Sequence, residues 1–253
     1  MYAEERQQVI LDRARTRGRV DVAALAEDFA VTGETIRRDL IMLERHGVLR
    51  RVHGGAIPVE RRGFEPAVST RETLMPQEKA LIAKAALAEL PAEGTIMLDA
   101  GTTTARLAGE LPGDRELTVV THSVAIALML TARRNLTVML VGGRLRSRTL
   151  ATVDGWALRA LSETFIDVAF MATNGVSPEH GLTTPDAAEA MVKRAAIASS
   201  RRCVLLADHT KVGNDYFTRF AGLKDIDTFI TDAGVDRSIA VEIAEAGPRV
   251  ITV

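Results

Sequence analysis

Two hydrophobic rhythms divide this chain. Val22, Leu25, Ala26 and Phe29 recur at helical spacing and predict a helix with one apolar stripe. Val31-Thr32-Gly33 interrupts the pattern, with Thr32 placed to cap the next helix through its hydroxyl. Ile36, Leu40 and Leu43 then predict the buried stripe of a second helix, which leaves Glu34, Thr35, Arg37, Arg38 and Ile41 facing outward. A further helix is expected ahead of this pair over residues 3–17, with Val9, Ile10 and Ala14 turned toward it. Behind the pair, Val48–Val52 reads as a short strand, His53-Gly54-Gly55 as a turn and Ala56-Ile57 as a returning strand that Pro58 ends. Residues 1–57 are therefore expected to form a winged helix-turn-helix domain.

Residues 58–76 mix Pro, Gly, Ser, Thr and charges without periodicity and read as a linker. From Gln77 the rhythm changes. A helix over 77–90 is followed by short apolar runs alternating with helical ones. The strands are Thr95–Asp99, Leu117–Thr121, Leu136–Val141, Asp167–Ala172, Cys203–Asp208, Thr228–Thr231 and Val250–Val253. The helices are 103–111, 123–133, 154–163, 186–200 and 236–246. Such alternation predicts a Rossmann-like α/β domain over 77–253, its mostly parallel sheet covered on both faces. There is no internal repeat and no low-complexity segment.

Composition changes the picture little. The 253 residues suit one domain of about 60 residues and one near 180. The formal net charge is −1, so no overall basic field points to nucleic acid. Residues 1–62 hold 12 basic side chains, all arginine, against 10 acidic ones, a net of +2; the remainder holds 20 against 23, a net of −3. The single cysteine, Cys203, excludes an intramolecular disulfide framework and any Cys-rich zinc site, and its apolar surroundings suit a core position. The amino terminus lacks the apolar core of a signal peptide, and no apolar run is long enough to span a bilayer, so a soluble cytoplasmic protein is expected.

Two places carry candidate chemistry. The arginine pair Arg37-Arg38 stands at the front of the second helix, where a recognition helix enters the major groove. There Arg donates two bonds to a guanine edge or grips a phosphate. The plain alternative is a solvated helix face. Arg50, Arg51 and His53 on the wing would reach the flanking backbone or minor groove. Candidate DNA-binding residues are Thr32, Gly33, Glu34, Thr35, Arg37, Arg38, Arg51 and His53.

In open α/β sheets, ligands bind beyond the carboxyl ends of the strands. The first strand ends in Asp99-Ala100-Gly101-Thr102-Thr103-Thr104, which opens a helix. Glycine admits an anion, hydroxyls donate, and the helix start supplies N–H groups, so this is a candidate phosphate cradle. A Thr-capped helix start is the other reading. It is not a Walker motif, which needs a lysine after the glycine. Further strand ends add Thr121, Ser123, Gly142, Gly143, Arg144, Asn174, Asp208 and Lys211 as candidate effector-binding residues, although Arg144 and Lys211 also read as surface charges. His122 and His209 lack companions at metal spacing and read as hydrogen-bonding or exposed groups; no metal or cofactor is implied.

The run Thr35-Ile36-Arg37-Arg38-Asp39-Leu40 followed by Arg51-Val52-His53-Gly54-Gly55-Ala56 resembles the amino-terminal signature of the DeoR family of bacterial transcriptional regulators. The family most often has Ser where Thr32 stands, and Thr makes the same cap. The second domain resembles the sensor of that family in Leu98–Thr103, Val141–Arg146, Asp167–Phe170, Gly181–Thr184, Val192–Ala195 and Ala207–Lys211. A frequent family pattern has Thr-Asn where Thr121-His122 stands, a departure that bears on which ligand hydroxyls are read. The resemblance covers nearly the whole chain. It implies a sensor fold similar to ribose-5-phosphate isomerase and a phosphorylated sugar as effector, with a tilt to a ketose or hexose phosphate from Asp208–Gly213. It implies a repressor of a sugar-catabolism operon that leaves its double-stranded DNA operator when the effector binds. A homo-oligomer, at least a dimer, is expected because repressors pair two half-sites. The rival is a sugar-phosphate isomerase fused to a DNA-binding module. It would need clustered acids after the middle strand, where Asp167 is followed only by Val168, Ala169, Phe170 and Met171.

Overall fold

The computed structural model describes residues 3–45, 48–58 and 65–253, without the side chains of residues 4, 8, 12, 15, 16 and 58. Internal contacts separate two compact units, Met1–Pro66 and Ala67–Val253. In the first, α1 (Ala3–Arg17) leads into β1 (Val20–Asp21), then α2 (Val22–Asp28) and α3 (Gly33–Arg45). A hairpin of β2 (Leu49–Val52) and β3 (Gly55–Pro58) follows, and β1 pairs antiparallel with β3 to complete a three-stranded sheet. The core is Ile10, Leu11, Ala14, Leu25, Ile36, Leu40, Leu43 and Leu49, with Val22, Ala26 and Phe29 only partly covered. Val9 is half-buried, and Leu11 takes the inward place instead.

Capping fixes the helix starts. The Asp21 carboxylate accepts from the Ala23 N–H at 2.9 Å, and the Thr32 hydroxyl accepts from the Thr35 N–H at 3.2 Å. One polar contact lies inside. Arg6 Nε donates to Asp39 Oδ2 at 2.6 Å and Gln7 Nε2 to Asp39 Oδ1 at 2.9 Å, so a buried ion pair ties α1 to α3.

The second unit opens with α4 (Val68–Thr73) and α5 (Pro76–Ala86). The stretch read as an irregular linker is thus partly helical. The Val68 N–H donates to the Arg148 carbonyl at 2.9 Å, a tie that local sequence could not disclose, and residues 59–64 of that stretch lie outside the described residues. The chain continues through β4 (Gly94–Leu98), α6 (Thr102–Glu110), β5 (Leu117–Thr121), α7 (Val124–Leu130), β6 (Leu136–Leu140), β7 (Arg144–Arg146) and β8 (Ala151–Val153). Then come α8 (Gly155–Ser162), β9 (Ile166–Ala172), β10 (Gly175–Ser177), β11 (Gly181–Thr184), α9 (Ala187–Ala198), β12 (Ser200–Leu206) and β13 (Thr218–Ala221). The last elements are β14 (Thr228–Thr231), α10 (Arg237–Glu245) and β15 (Arg249–Thr252).

Seven strands form one parallel sheet in the order β15-β14-β12-β9-β4-β5-β6. The apolar runs of its inner strands β4, β5, β9, β12 and β14 are buried on both faces, as a sheet with helices on both sides requires, while the edge strands β6 and β15 are partly exposed. Residues of α5, α6 and α7 build the core on one face and residues of α8, α9 and α10 the core on the other. The chain works outward from β4 to β6, then returns to β9 on the other side of β4. That reversal between β4 and β9 is the topological switch point, where side chains diverge to leave a crevice. A second sheet, β10-β11-β13, and the β7–β8 hairpin are antiparallel and were not expected from sequence. Every residue of β8, β10 and β11 is buried, so these short strands show no alternation to read.

Candidate functional site

On α3 the side chains of Ile36, Asp39, Leu40 and Leu43 are buried, and Glu34, Arg37 and Arg38 project from the opposite face. Arg38 is 79% exposed and lies 3.9 Å from Glu34, while Arg37 lies 3.4 Å from it. Exposed pairs of this kind contribute about 0–1 kcal/mol, so both guanidinium groups can exchange Glu34 for an incoming phosphate or base edge. Thr32 and Thr35 share a hydroxyl–hydroxyl contact of 2.9 Å, and Gly33 is half-buried at the helix start. On the wing, His53 is exposed at the turn. Arg51 is engaged within the unit: its Nε donates to Glu44 at 2.7 Å and its N–H at 3.0 Å. The backbone and side-chain bonds from Arg51 hold the Glu44 carboxyl below its ordinary pKa. Arg19, which no motif singled out, donates to the His53 carbonyl at 3.1 Å and so stands beside the wing turn.

In the second unit the predicted residues gather at the carboxyl edge of the sheet. Gly101 caps α6 with no side chain bonded to the helix start, which leaves the first N–H groups of α6 without a side-chain partner. A Cβ on Gly101 would stand 2.6 Å from the Cβ of Ala172, so glycine is what lets the loop close on the end of β9. Thr102, Thr103 and Thr104 are all buried. Thr104 donates to the Asp99 carbonyl at 2.6 Å; no hydrogen bond within the described residues engages the hydroxyls of Thr102 and Thr103. Those two hydroxyls and the α6 N–H groups are candidate donors at the crevice.

Beneath the cradle lies a charged floor. Asp99, wholly buried, accepts from the Ala172 N–H at 2.8 Å across the switch point, from Lys193 Nζ, and through Oδ1 meets His122 Nε2 at 2.8 Å. His122 Nδ1 faces the Thr152 carbonyl at 3.1 Å, an oxygen that only accepts, so Nδ1 carries a proton. Burial alone would raise the Asp99 pKa, but the Lys193 ammonium and His122 outweigh it and hold the carboxyl well below its usual range. Lys193 is held in turn by the Ala172 carbonyl at 3.0 Å and lies 5.5 Å from the Phe220 ring centroid. His122 is therefore a buried structural partner, not an exposed group.

Other predicted residues have internal duties. Thr121 donates to the Leu98 carbonyl at 2.7 Å, and the Ser123 hydroxyl accepts from the Ile126 N–H at 3.3 Å to cap α7. Asn174 accepts from Thr184 at 2.9 Å. Arg144 donates to Asp154 at 2.6 Å on the surface. Gly143, with φ +149°, lets β8 approach, since a Cβ there would stand 2.4 Å from the Val153 carbonyl oxygen; Gly142 has open space around it. Asp208 accepts from the N–H of Thr210 at 3.1 Å and from its hydroxyl, and Lys211 Nζ reaches the same hydroxyl at 3.3 Å. Burial works to raise the Asp208 pKa, but Lys211, Thr210 and Lys79 bring it below its ordinary value.

One residue and two pairings escaped the sequence reading. Lys79 on α5 is 2% exposed, and burial beside Lys211, Arg71 and Arg106 lowers its ammonium pKa to about 8 despite Asp208. Its signal was available: Lys79, Ile82, Ala83 and Ala86 share one buried helical stripe. His209 and Asp232 pair at 2.6 Å on neighbouring strand ends, and Lys193 reaches Asp99 from α9; neither link follows from local spacing. Among the described residues, no three His, Cys, Asp or Glu side chains group to hold a metal ion, and no helix is long and apolar enough to cross a membrane.

A winged helix-turn-helix with two exposed arginines on its second helix, carried in one chain with an α/β unit whose strand ends offer unused donors, defines the two-part class of DNA-binding regulators. Residues 6–62 match the DeoR-like helix-turn-helix domain and residues 75–233 the DeoR C terminal sensor domain. The chain belongs to the DeoR family of transcriptional regulators. It is 37% identical over 251 residues to the HTH-type transcriptional regulator GlpR of Haloferax volcanii, covering 99% of this chain and 98% of that one. It is 29% identical to the glycerol-3-phosphate regulon repressor of Escherichia coli, covering 92% of each. Ribose 5-phosphate isomerase A of Methanocaldococcus jannaschii aligns over 53% of each chain with a TM-score of 0.39 and 17% identity.

Proposed function

We propose that the protein is a repressor of a sugar-catabolism operon whose α3 reads double-stranded DNA and whose α6 cradle binds a phosphorylated sugar or polyol. The observation that carries the reading is the α6 start, with its N–H groups lacking a side-chain cap and the hydroxyls of Thr102 and Thr103 bonded to nothing within the described residues. Lys211 supplies countercharge, and the Asp99 floor holds the cradle rigid from below. The domains assigned to these tasks are residues 1–57 and 77–253, joined by 58–76. The active species is a homo-oligomer, at least a dimer, placing two α3 helices on two half-sites. Effector binding lowers operator affinity by a coupling of about 1–3 kcal/mol. The name of the Escherichia coli relative makes glycerol 3-phosphate the first probe to use, with hexose and ketose phosphates after it.

The isomerase alternative is disfavoured by the same geometry. Val168, Ala169, Phe170 and Met171 lie buried in β9, and the buried carboxylate of Asp99 is fully engaged by Lys193, His122 and the Ala172 N–H, which leaves it no role as a base toward a ligand. The test replaces Thr102 and Thr103 together by Val. This variant should bind a genomic operator fragment like the parent and fail to leave it when the phosphate that releases the parent is added. A double variant that still responds normally would place the phosphate elsewhere.

A further inference from the structure

The first element of the second unit, α4, is fastened at both ends. At its start the Val68 N–H donates to the Arg148 carbonyl at 2.9 Å, on the loop between β7 and β8. At its far end Lys79 Nζ donates to the Arg71 carbonyl at 2.5 Å and to the Leu74 carbonyl. Between these anchors α4 packs on α6, the helix whose start forms the cradle. Met75, which joins α4 to α5, has φ +51°, a left-handed conformation that a residue with a side chain adopts only when its surroundings impose it.

We propose that Ala67–Met75 is a strap across the strand-end crevice, latched by Lys79, and that an anion in the α6 cradle tightens the latch. Lys79 is a positioning residue here and touches no ligand. It is nearly sealed from solvent, and the charged groups around it are Asp208 at the end of β12, Lys211 just beyond it, Arg71 on α4 and Arg106 on α6. Three of them, Lys211, Arg71 and Arg106, are cations that repel the Lys79 ammonium, and Asp208 attracts it. An incoming phosphate lowers their mutual repulsion and favours the charged ammonium, whose bonds to the two strap carbonyls are stronger than those of a neutral amine. Ligand occupancy is in this way converted into order in the segment that follows the amino-terminal unit in the chain. The proposal rests on the cradle being the ligand site.

Hydrogen exchange of the full-length protein, read on peptides covering 67–75 and 99–106, tests it with glycerol 3-phosphate and with inorganic phosphate as probes. In Lys79→Met without probe, the strap should exchange at least roughly tenfold faster than in the parent, the effect expected from losing one hydrogen bond to a charged group. Val68→Pro cuts the other anchor while keeping the helix, since proline suits a first helical position and Ala67 already has ψ 153°. It too should loosen the strap. In the parent, a probe that protects 99–106 should also protect 67–75, and in Lys79→Met it should protect 99–106 alone. Strap exchange that is the same in parent and both variants would overturn the latch. Protection of 99–106 with no change at 67–75 in the parent would overturn the coupling and leave the cradle standing. No protection of either segment by any probe would overturn the cradle and the coupling together.

Discussion

Asp39 holds α3, the proposed DNA-reading helix, to the rest of its unit through a bond that no exposed residue shares. Replacing it by Ala leaves the Arg6 guanidinium buried opposite an apolar methyl, with Gln7 also deprived of its acceptor. Breaking a buried pair by removing one partner costs about 3–5 kcal/mol, because the remaining charge is left without compensation. A unit of about 60 residues has a total stability of roughly 3–9 kcal/mol at 0.05–0.15 kcal/mol per residue, so the loss is comparable to the whole. Asp39→Ala should therefore melt the amino-terminal unit near room temperature and abolish operator binding, while the second unit stays folded. Hydrogen exchange separates the two. Peptides covering Ile36–Leu43 should lose protection, and peptides covering β4 and β9 should keep theirs. The paired variant Arg6→Met with Asp39→Leu, which removes both charges, should recover most of the stability. If Asp39→Ala costs under about 1 kcal/mol and still binds DNA, the ion pair is not what positions α3.

The double variant Arg37→Ala with Arg38→Ala should keep the parent's thermal stability yet lose about 1–3 kcal/mol of operator affinity for each arginine that reads a base, with a shallower salt dependence; unchanged binding in a gel-shift titration would refute the assignment. Lys193→Met should cost about 3–5 kcal/mol at pH 7 by leaving the Asp99 carboxylate without its cation. Because the Asp99 pKa is lowered in the folded protein, its stabilising contribution is complete above the ordinary carboxylate pKa and is lost as pH falls toward the folded value. The gap between parent and Lys193→Met should accordingly narrow below about pH 4 in chemical denaturation, and a gap that widens there would refute the role given to Lys193. Gly143→Ala, which puts a Cβ 2.4 Å from the Val153 oxygen at φ +149°, should lower stability by roughly 1–3 kcal/mol, and an unchanged melting temperature would show that the β7–β8 hairpin can move aside.

Much of this architecture was written in short-range patterns. The stripe Ile36, Leu40, Leu43 placed α3 and its exposed face correctly, since a helix that buries one side must repeat every three to four residues. The seven parallel strands were legible as separate apolar runs, because the five inner ones are buried on both faces and the edge strands β6 and β15 keep apolar residues although they are partly exposed. The small antiparallel sheet was not. Gly175–Ser177 and Gly181–Thr184 are too short and too evenly buried to show a period. At the crevice, Gly101–Thr104 stood out by residue type alone. What those residues do was hidden, since the Thr104 hydroxyl turns to the backbone and Asp99 to Lys193, a residue 94 positions away. Lys79 shows the converse case: its place on an apolar stripe was visible, but charge normally argues against burial, so the position was passed over.

The floor under the crevice has a consequence for how such a sensor can change its ligand. The Asp99 carboxylate joins the ends of β4, β5 and β9 to α9 through bonds that are all internal to the unit. In the proposed function the lip is built separately, from Thr102, Thr103 and Lys211 on elements that the floor already holds in place. Substitutions at the lip can retune which small molecule is recognised without disturbing the sheet, and substitutions in the floor would unseat the fold before they altered recognition. A designer who wanted a sensor for a new metabolite would randomise the rim and leave Asp99, His122 and Lys193 untouched.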